Sequence, residues 1–108
     1  MKKRGFCIFY KNLYWGSSLK KHSLIKWRLV HGRGQFNIFC ITRSMNDRDQ
    51  LDIIHCAFLK QSYYLEHPVM IYGVAKSYDE ALELIVKISD EAIQNGYEGR
   101  LLAYLDRE

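Results

Sequence analysis

The first 44 residues contain no aspartate and no glutamate, although the 108-residue chain has 12 acidic residues. The same stretch, here called the basic block, holds ten lysines and arginines, so its formal charge is +10. The remaining residues hold six basic and all twelve acidic side chains, which leaves the whole chain at +4. Charges of one sign repel each other and destabilise a compact domain unless something negative meets them. Nucleic-acid phosphates, the acidic helices of the same molecule, or those of a second copy or an acidic partner could supply this negative charge.

Long apolar runs, linkers and targeting signals are also missing. A single proline and seven glycines leave no room for a linker, so we expect residues 1–108 to form one domain around one core. The uncharged runs are shorter than the ~20 residues that a membrane span needs. The apolar run after Met1–Arg4 stops at Lys11 without a small-residue cleavage site, unlike a signal peptide. These features predict a cytoplasmic protein without a membrane partner.

Cysteine and histidine are too few and too scattered for the usual sites. Cys7, Cys40 and Cys56 follow no recognised spacing, which disfavours a disulfide framework and favours reduced, buried thiols. His55 and Cys56 are adjacent and would diverge on a helix, whereas zinc needs four converging ligands. No local context supports a catalytic cysteine or histidine. We therefore predict no metal, no cofactor and no enzymatic activity.

The clearest local pattern is a strand that leads into a capped helix. Val69–Ala75 is an apolar run of strand length, and Ser77–Glu80 has the form of a capping box. Asn95–Gly96 provides a helix stop, since glycine enters the left-handed conformation at little cost. The three- and four-residue spacing of apolar residues predicts one half-buried face, formed by Leu82, Ile85, Val86, Ser89 and Ile93.

The N-terminal half reads mainly as strands. We predict a strand at residues 6–10, a loop from Lys11 to Ser23, and a second strand at Leu24–Val30, where apolar and basic residues alternate. Glycines around Arg33 would turn this strand into a return strand at Phe36–Thr42. Such a hairpin places Lys26 and Arg28 on one sheet face, near the aromatic Phe39.

The next segment favours a helix. Asn46 or Asp47 can cap it, an acidic first turn suits its dipole, and Pro68 ends it. Its apolar stripe would hold Leu51, Ile54, Phe58 and Leu65. A strand is the alternative, because Ile53–Ile54 is crowded for a one-sided helix. With a last helix at Arg100–Leu105, the order is β-β-β-α-β-α-α, which predicts a small two-layer α+β domain with an antiparallel sheet of about four strands and helices on one face.

The basic block suggests two kinds of binding module. Basic residues on a sheet face beside an aromatic side chain can hold nucleic acid through its phosphates and by base stacking, without reading sequence. The predicted phosphate contacts are Lys20, Lys21, Lys26, Arg28, Arg33 and Arg43. The alternative is a protein-interaction or self-associating module, such as a homodimer, that uses the acidic helix faces and the C-terminal tyrosines. A solvated basic face neutralised within the molecule would need no partner.

Two runs in the second half carry a resemblance. Gln61–Val69 and Tyr72–Leu82 resemble small uncharacterised accessory proteins encoded on conjugative transposons of Gram-positive bacteria. The resemblance covers about the last half of the chain and brings no catalytic residues with it. It implies a cytoplasmic accessory protein that works near DNA-processing or conjugation machinery.

Overall fold

The computed structural model describes residues 7–31, 38–44, 50–57 and 68–107. Within these ranges the chain forms four strands and three helices. In chain order they are β1 (Cys7–Trp15), α1 (His22–His31), β2 (Phe39–Arg43), β3 (Leu51–His55), β4 (Val69–Ala75), α2 (Tyr78–Gln94) and α3 (Leu101–Leu105). The prediction of a small α+β domain with a four-stranded sheet is confirmed.

The four strands form one mixed sheet in the order β1-β4-β2-β3. β4 pairs parallel with β1 and antiparallel with β2, and β2 pairs antiparallel with β3. The predicted fully antiparallel sheet is therefore wrong at β1. Parallel neighbours need a long crossover, and the chain between β1 and β4 provides one because it contains α1, β2 and β3.

The sheet has apolar side chains on both faces. Neighbouring residues of a strand point to opposite faces, and the adjacent Cys40 and Ile41 belong to different core clusters. The first cluster contains Leu29 of α1, and the second contains Ile88 of α2 and Leu105 of α3. Helices therefore lie on both faces of the sheet, and the predicted one-sided arrangement is wrong because the segment of α1 was interpreted as a strand.

The segment predicted as a strand at Leu24–Val30 is the helix α1, so the hairpin prediction is wrong. Ile25 and Leu29 are one helical turn apart and pack on the sheet, with Leu29 only 2% exposed. Leu24 and Trp27 point outward, with 41% and 49% of their surface exposed. Apolar residues on both sides of α1 hide its helical period and imitate the alternation of a strand.

The segment at residues 51–55 is the strand β3, which was the alternative to the predicted helix. Leu51 and Ile53 pack in the cluster under α2, whereas Ile54 packs in the cluster under α1. A single helix face could not reach both clusters, but a strand between two layers does so by alternation. The element order is therefore β-α-β-β-β-α-α, which differs from the prediction at the second and fourth elements.

Other boundaries are partly as predicted. The first strand is confirmed but extends to Trp15, and α1 begins at His22, so the predicted loop shrinks to residues 16–21. The predicted return strand corresponds to β2 within the described residues. The turn at Gly32–Arg33, the caps Asn46 and Asp47, and the stripe residues Phe58 and Leu65 lie outside the described residues.

The predicted first and last residues of β4 and α2 are confirmed. The Ser77 side chain accepts a hydrogen bond from the Glu80 amide, and Gly96 stops the helix with a φ of 85°. The buried side of α2 is not the predicted one. Its buried residues are Ala81, Leu84, Ile88 and Ala92. Of the predicted stripe only Ile85 and Ser89 are half-buried, because small alanines let α2 approach the sheet along its other side.

A bulge in β4 turns two successive residues toward α2 and α3. Ile41 pairs with Gly73 and Thr42 pairs with Ile71, so Tyr72 is the extra residue of β4. A Cβ on Gly73 would lie 3.0 Å from Ile41 Cδ1 and 3.5 Å from Tyr14 Cβ. Glycine at this position lets the bulge form because a larger residue would press on the side chains of Ile41 and Tyr14.

Candidate functional site

A cleft of about 490 Å³ opens where the chain leaves the parallel strands β1 and β4. The loop after β1 leads into α1, and Lys76–Ser77 leads from β4 into α2. Connections that follow neighbouring parallel strands lie at the same edge of a sheet, where ligand-binding crevices of α/β proteins form. The cleft therefore lies at a position that the topology makes suitable for a ligand.

The lining of the cleft combines apolar and basic side chains. The apolar side chains are Leu19, Leu24, Ile25 and Ile38. The basic side chains are Lys20 and Lys21 from the loop, Arg28 from α1 and Lys76 from the turn before α2. Glu80 is the one carboxylate among the residues lining this cleft. Four cations against one anion make it attractive to anions, and we call it the cationic cleft.

Glu80 is already held by the backbone around it. Its carboxylate accepts from the Lys76 amide at 2.7 Å, from the Ser18 hydroxyl at 2.9 Å and from the Ser18 amide at 3.3 Å. The predicted capping box is thus modified, because Glu80 reaches back past Ser77 and joins the β1–α1 loop to α2. The Lys76 side chain also attracts this carboxylate, so Lys20, Lys21 and Arg28 are the cations of the cleft that are best placed for an external anion.

These hydrogen bonds also lower the pKa of Glu80. Burial by itself would raise the pKa, but the bonds from Lys76 and Ser18 outweigh it. The folded protein therefore favours the charged carboxylate. Its stabilising effect is present above the ordinary pKa of the carboxyl and is lost as the pH falls through the lowered value.

The structure brings together only part of the predicted set of phosphate contacts. Lys20, Lys21 and Arg28 converge on the cationic cleft. Lys26 lies on the other flank of α1, with Nζ 5.3 Å from the centre of the Phe9 ring. Side chains two positions apart on a helix point in directions that differ by about 200°. Lys26 and Arg28 therefore do not share a face, and the prediction that they do is wrong. Arg33 lies outside the described residues.

Arg43 belongs to a different part of the molecule. Its guanidinium pairs with Asp106 and donates to the Tyr72 hydroxyl at 2.8 Å, on the side of the sheet that carries α2 and α3. The hydrogen bond with Asp106 is the main cause that raises the pKa of Arg43. Arg43 therefore fixes the end of α3 to the sheet and does not join the cationic cleft.

One residue that lines this cleft, Lys76, and one residue near it, Trp27, were not identified from the sequence. Lys76 is distant from the basic block in sequence, and only its place between a strand and a capped helix could have indicated it. Trp27 was expected to face inward from a strand, but its indole is 49% exposed and stacks on His31 at 4.4 Å between ring centres. At the start of α1, the His22 ring stacks on Trp15 at 3.7 Å and fixes where the loop enters the helix.

The C-terminal tyrosines mostly stabilise the fold. Tyr72 is fully buried and Tyr104 is 5% exposed, whereas Tyr78 is 52% exposed at the start of α2. Tyr104 donates to Glu91 at 3.1 Å, and Tyr14 of β1 donates to the same carboxylate. Tyr72 and Tyr104 therefore attach α2 and α3 to the sheet, and Tyr63 and Tyr64 lie outside the described residues.

The cysteine, histidine and acidic side chains of the described residues form no further site. Across residues 7–31, 38–44, 50–57 and 68–107, no three histidine, cysteine or acidic side chains cluster so as to hold a metal ion. The cysteines Cys7, Cys40 and Cys56 are all buried and form no disulfide with one another. No helix in the described part of the chain is long and apolar enough to cross a membrane.

Comparison with known proteins gives this chain no relatives. No protein-family model matches it, and neither a curated protein nor a solved structure with significant similarity was found.

Proposed function

We propose that this protein is a non-catalytic binding module that holds nucleic acid without reading its sequence. The observation that carries the proposal is the convergence of Lys20, Lys21, Arg28 and Lys76 on one cleft. Lysine and arginine contacts to phosphate give affinity and position but carry no sequence information. The cationic cleft would hold backbone phosphates, with Lys26 as a further contact on the other flank of α1.

The outer side of α1 adds a surface suited to bases. Trp27 lies three residues after Leu24, which lines the cleft, so the two side chains are neighbours on the helix. Bases stack on exposed aromatic rings irrespective of sequence, at about 1–3 kcal/mol each. A single strand could therefore place its phosphates at the cleft and a base on Trp27. A cytoplasmic accessory role in conjugation, which the resemblance implies, would fit such binding and remains a prediction.

The test is the salt dependence of binding for matched variants. Fluorescence anisotropy of labelled single-stranded and duplex oligonucleotides would be followed between about 50 and about 300 mM salt. Removing Lys21 and Arg28 together, as Lys21→Ala with Arg28→Ala, should reduce the steepness of log K against log salt. The expected change is about 1.8 for the duplex and about 1.4 for the single strand, since each phosphate contact contributes about 0.9 and about 0.7 respectively. Lys11→Ala with Lys87→Ala removes the same charge away from the cleft and should keep the slope.

Two results would overturn this proposal. An equal loss in both double variants would show that net charge alone drives binding. Absence of binding by the unmodified protein at the lowest salt would show that the basic block is neutralised in another way.

A further inference from the structure

α2 carries a second apolar stripe that the core does not use. Leu82, Val86 and Ile93 are 42%, 58% and 49% exposed, and their spacing of four and seven residues aligns them on one side of the helix. All three side chains are aliphatic and exposed to solvent. We call these three residues the outer stripe. Contiguous exposed aliphatic side chains on a small protein indicate a protein-binding surface.

Carboxylates follow one edge of the outer stripe. Asp79, Glu83 and Asp90 each precede a stripe residue by three positions, and all three are exposed. Residues three apart are neighbours on a helix, so the carboxylates form a row beside the apolar side chains. The chemistry of the surface therefore calls for apolar anchors flanked by lysine or arginine.

The row of carboxylates argues against pairing of α2 with itself. A two-fold axis that sets two α2 helices antiparallel brings the same edge of each helix together. Six carboxylates would then share one edge of the contact, and like charges in close contact weaken association. The preferred occupant is therefore a basic helix.

The molecule has such a helix in α1. Leu24 and Trp27 are exposed on its outer side, Arg28 follows Leu24 by four positions, and Lys21 lies immediately before the helix. α1 would be about 15 Å long and α2 about 25 Å, so the shorter helix fits along the stripe. We propose that α1 of a second copy docks on the outer stripe of α2, with Leu24 and Trp27 as its anchors.

Such a contact joins two different surfaces, which makes it a head-to-tail association. α1 and α2 lie on opposite faces of the sheet, so one copy can offer α1 to one neighbour and α2 to another. Contacts of this kind produce rings or open chains. A single helix-on-helix contact is small, and we expect association only at protein concentrations on the order of 0.1–1 mM.

The first experiment measures average mass by light scattering as a function of protein concentration at low and high salt. Mass should rise with concentration at low salt and fall when salt is added, because the contact joins opposite charges. Leu82→Ser with Val86→Ser should weaken association at least about tenfold, which is about 1.4 kcal/mol. Gln94→Ser changes an exposed, uncharged side chain of α2 outside the outer stripe and should leave the mass curve unchanged. Thermal unfolding shows that each variant is folded.

A second pair of variants, which reverses the charge on either side of the contact, tests the proposal if the serine variant fails to fold. Glu83→Lys and Arg28→Glu should each weaken association, and the protein that carries both should regain part of it. An average mass that is unchanged by Arg28→Glu and increases when the pH is lowered would show that α2 pairs with itself, which overturns the proposal. A monomer at every concentration up to about 1 mM in low salt would overturn it as well.

Docking of α1 on α2 does not depend on nucleic-acid binding. The Leu82→Ser with Val86→Ser variant keeps the cationic cleft, so loss of association with unchanged oligonucleotide binding separates the two proposals. If both are correct, oligonucleotide should lower the average mass, because it covers α1.

Discussion

At the scale of single residues, Gly16 and Glu80 depend on each other. A Cβ built on Gly16 would lie 2.1 Å from Glu80 Oε1 and 2.4 Å from its Cδ. The Glu80 carboxylate lies there because Ser18 and the Lys76 amide hold it. Glycine at position 16 thus leaves space for the carboxylate that joins the β1–α1 loop to α2.

Gly16→Ala should therefore lower the free energy of unfolding. An added methyl group would displace the carboxylate, and the loss of its solvent-exposed hydrogen bonds should cost about 0.5–1.5 kcal/mol. Urea unfolding of Gly16→Ala, Glu80→Ala and the double variant measures the coupling. We expect the glycine substitution to cost much less when Glu80 is already alanine, because no carboxylate is left to displace. An equal cost in both backgrounds would contradict this interpretation.

Gly99→Ala is a useful contrast to that experiment. Gly99 has a φ of 75° and nothing within 4 Å of its built Cβ. Its substitution should cost about 1–2 kcal/mol through the backbone alone. This cost should be the same with or without the Glu80 carboxylate.

At the scale of the elements, the sequence predicted those helices and strands whose caps and apolar spacing lie within the element itself. The β4–α2 unit was predictable because a buried strand, the Ser77 cap and the Gly96 stop all act within a few residues. α1 and β3 were not, because their identity depends on layers contributed by distant parts of the chain. Leu24 and Trp27 face outward on α1, and Ile53 and Ile54 face two different layers, so neither segment shows its own period.

The attachment of α2 and α3 to the sheet should be sensitive to alkaline pH. Burial, followed by the hydrogen bond to Asp106, raises the pKa of Tyr72 to about 12. Burial and the bond to Glu91 also raise the pKa of Tyr14. The unfolded chain loses these protons near the ordinary tyrosine pKa of about 10, whereas the folded protein keeps them to higher pH. Stability is therefore fully present below about pH 10 and is lost as the pH rises through the raised values.

Free energies of unfolding from urea titrations between about pH 8 and about pH 11.5 would measure this effect. Tyr72→Phe should give a shallower decline, because one of the shifted groups is gone. Tyr78→Phe alters a half-exposed ring at the start of α2 and serves as the matched control. Identical slopes for Tyr72→Phe and the unmodified protein would contradict the assignment.

At the scale of the whole molecule, the three cysteine thiols lie in the same core cluster, so their reactivity measures whether that cluster is intact. Cys7, Cys40 and Cys56 come from three parts of the sheet and meet in the cluster under α1. Burial raises the pKa of the Cys7 thiol to about 12 and that of Cys40 well above its ordinary value. Inaccessible, protonated thiols react slowly with disulfide reagents.

We expect a thiol reagent at neutral pH to label none of the three cysteines in the folded protein and all three at a common rate on unfolding. Mass spectrometry of samples taken along a urea series measures the order of labelling. A cysteine introduced at the exposed Ser23, as Ser23→Cys, should react at once and shows that the reagent is active. Earlier labelling of Cys56 than of Cys40 would contradict a single cooperative core.

The candidate site is also a property of the whole molecule, which limited its prediction. Composition alone identified the basic block and therefore Lys20, Lys21 and Arg28. Their convergence with Lys76 depends on the parallel pairing of β1 with β4, which no local pattern encodes. Arg43 looked equivalent in sequence, but it lies beside Asp106, the only described acidic residue after α3.

The strand order has a consequence for how the chain is made. β4 is the last strand in sequence, yet it lies between β1 and β2. Until residue 75 has left the ribosome, β1 lacks its neighbour in the sheet and only β2 and β3 can pair. Contacts between distant parts of a chain form slowly because a long loop must close first. The nascent protein should therefore gain its structure late, in one step, when the central strand arrives.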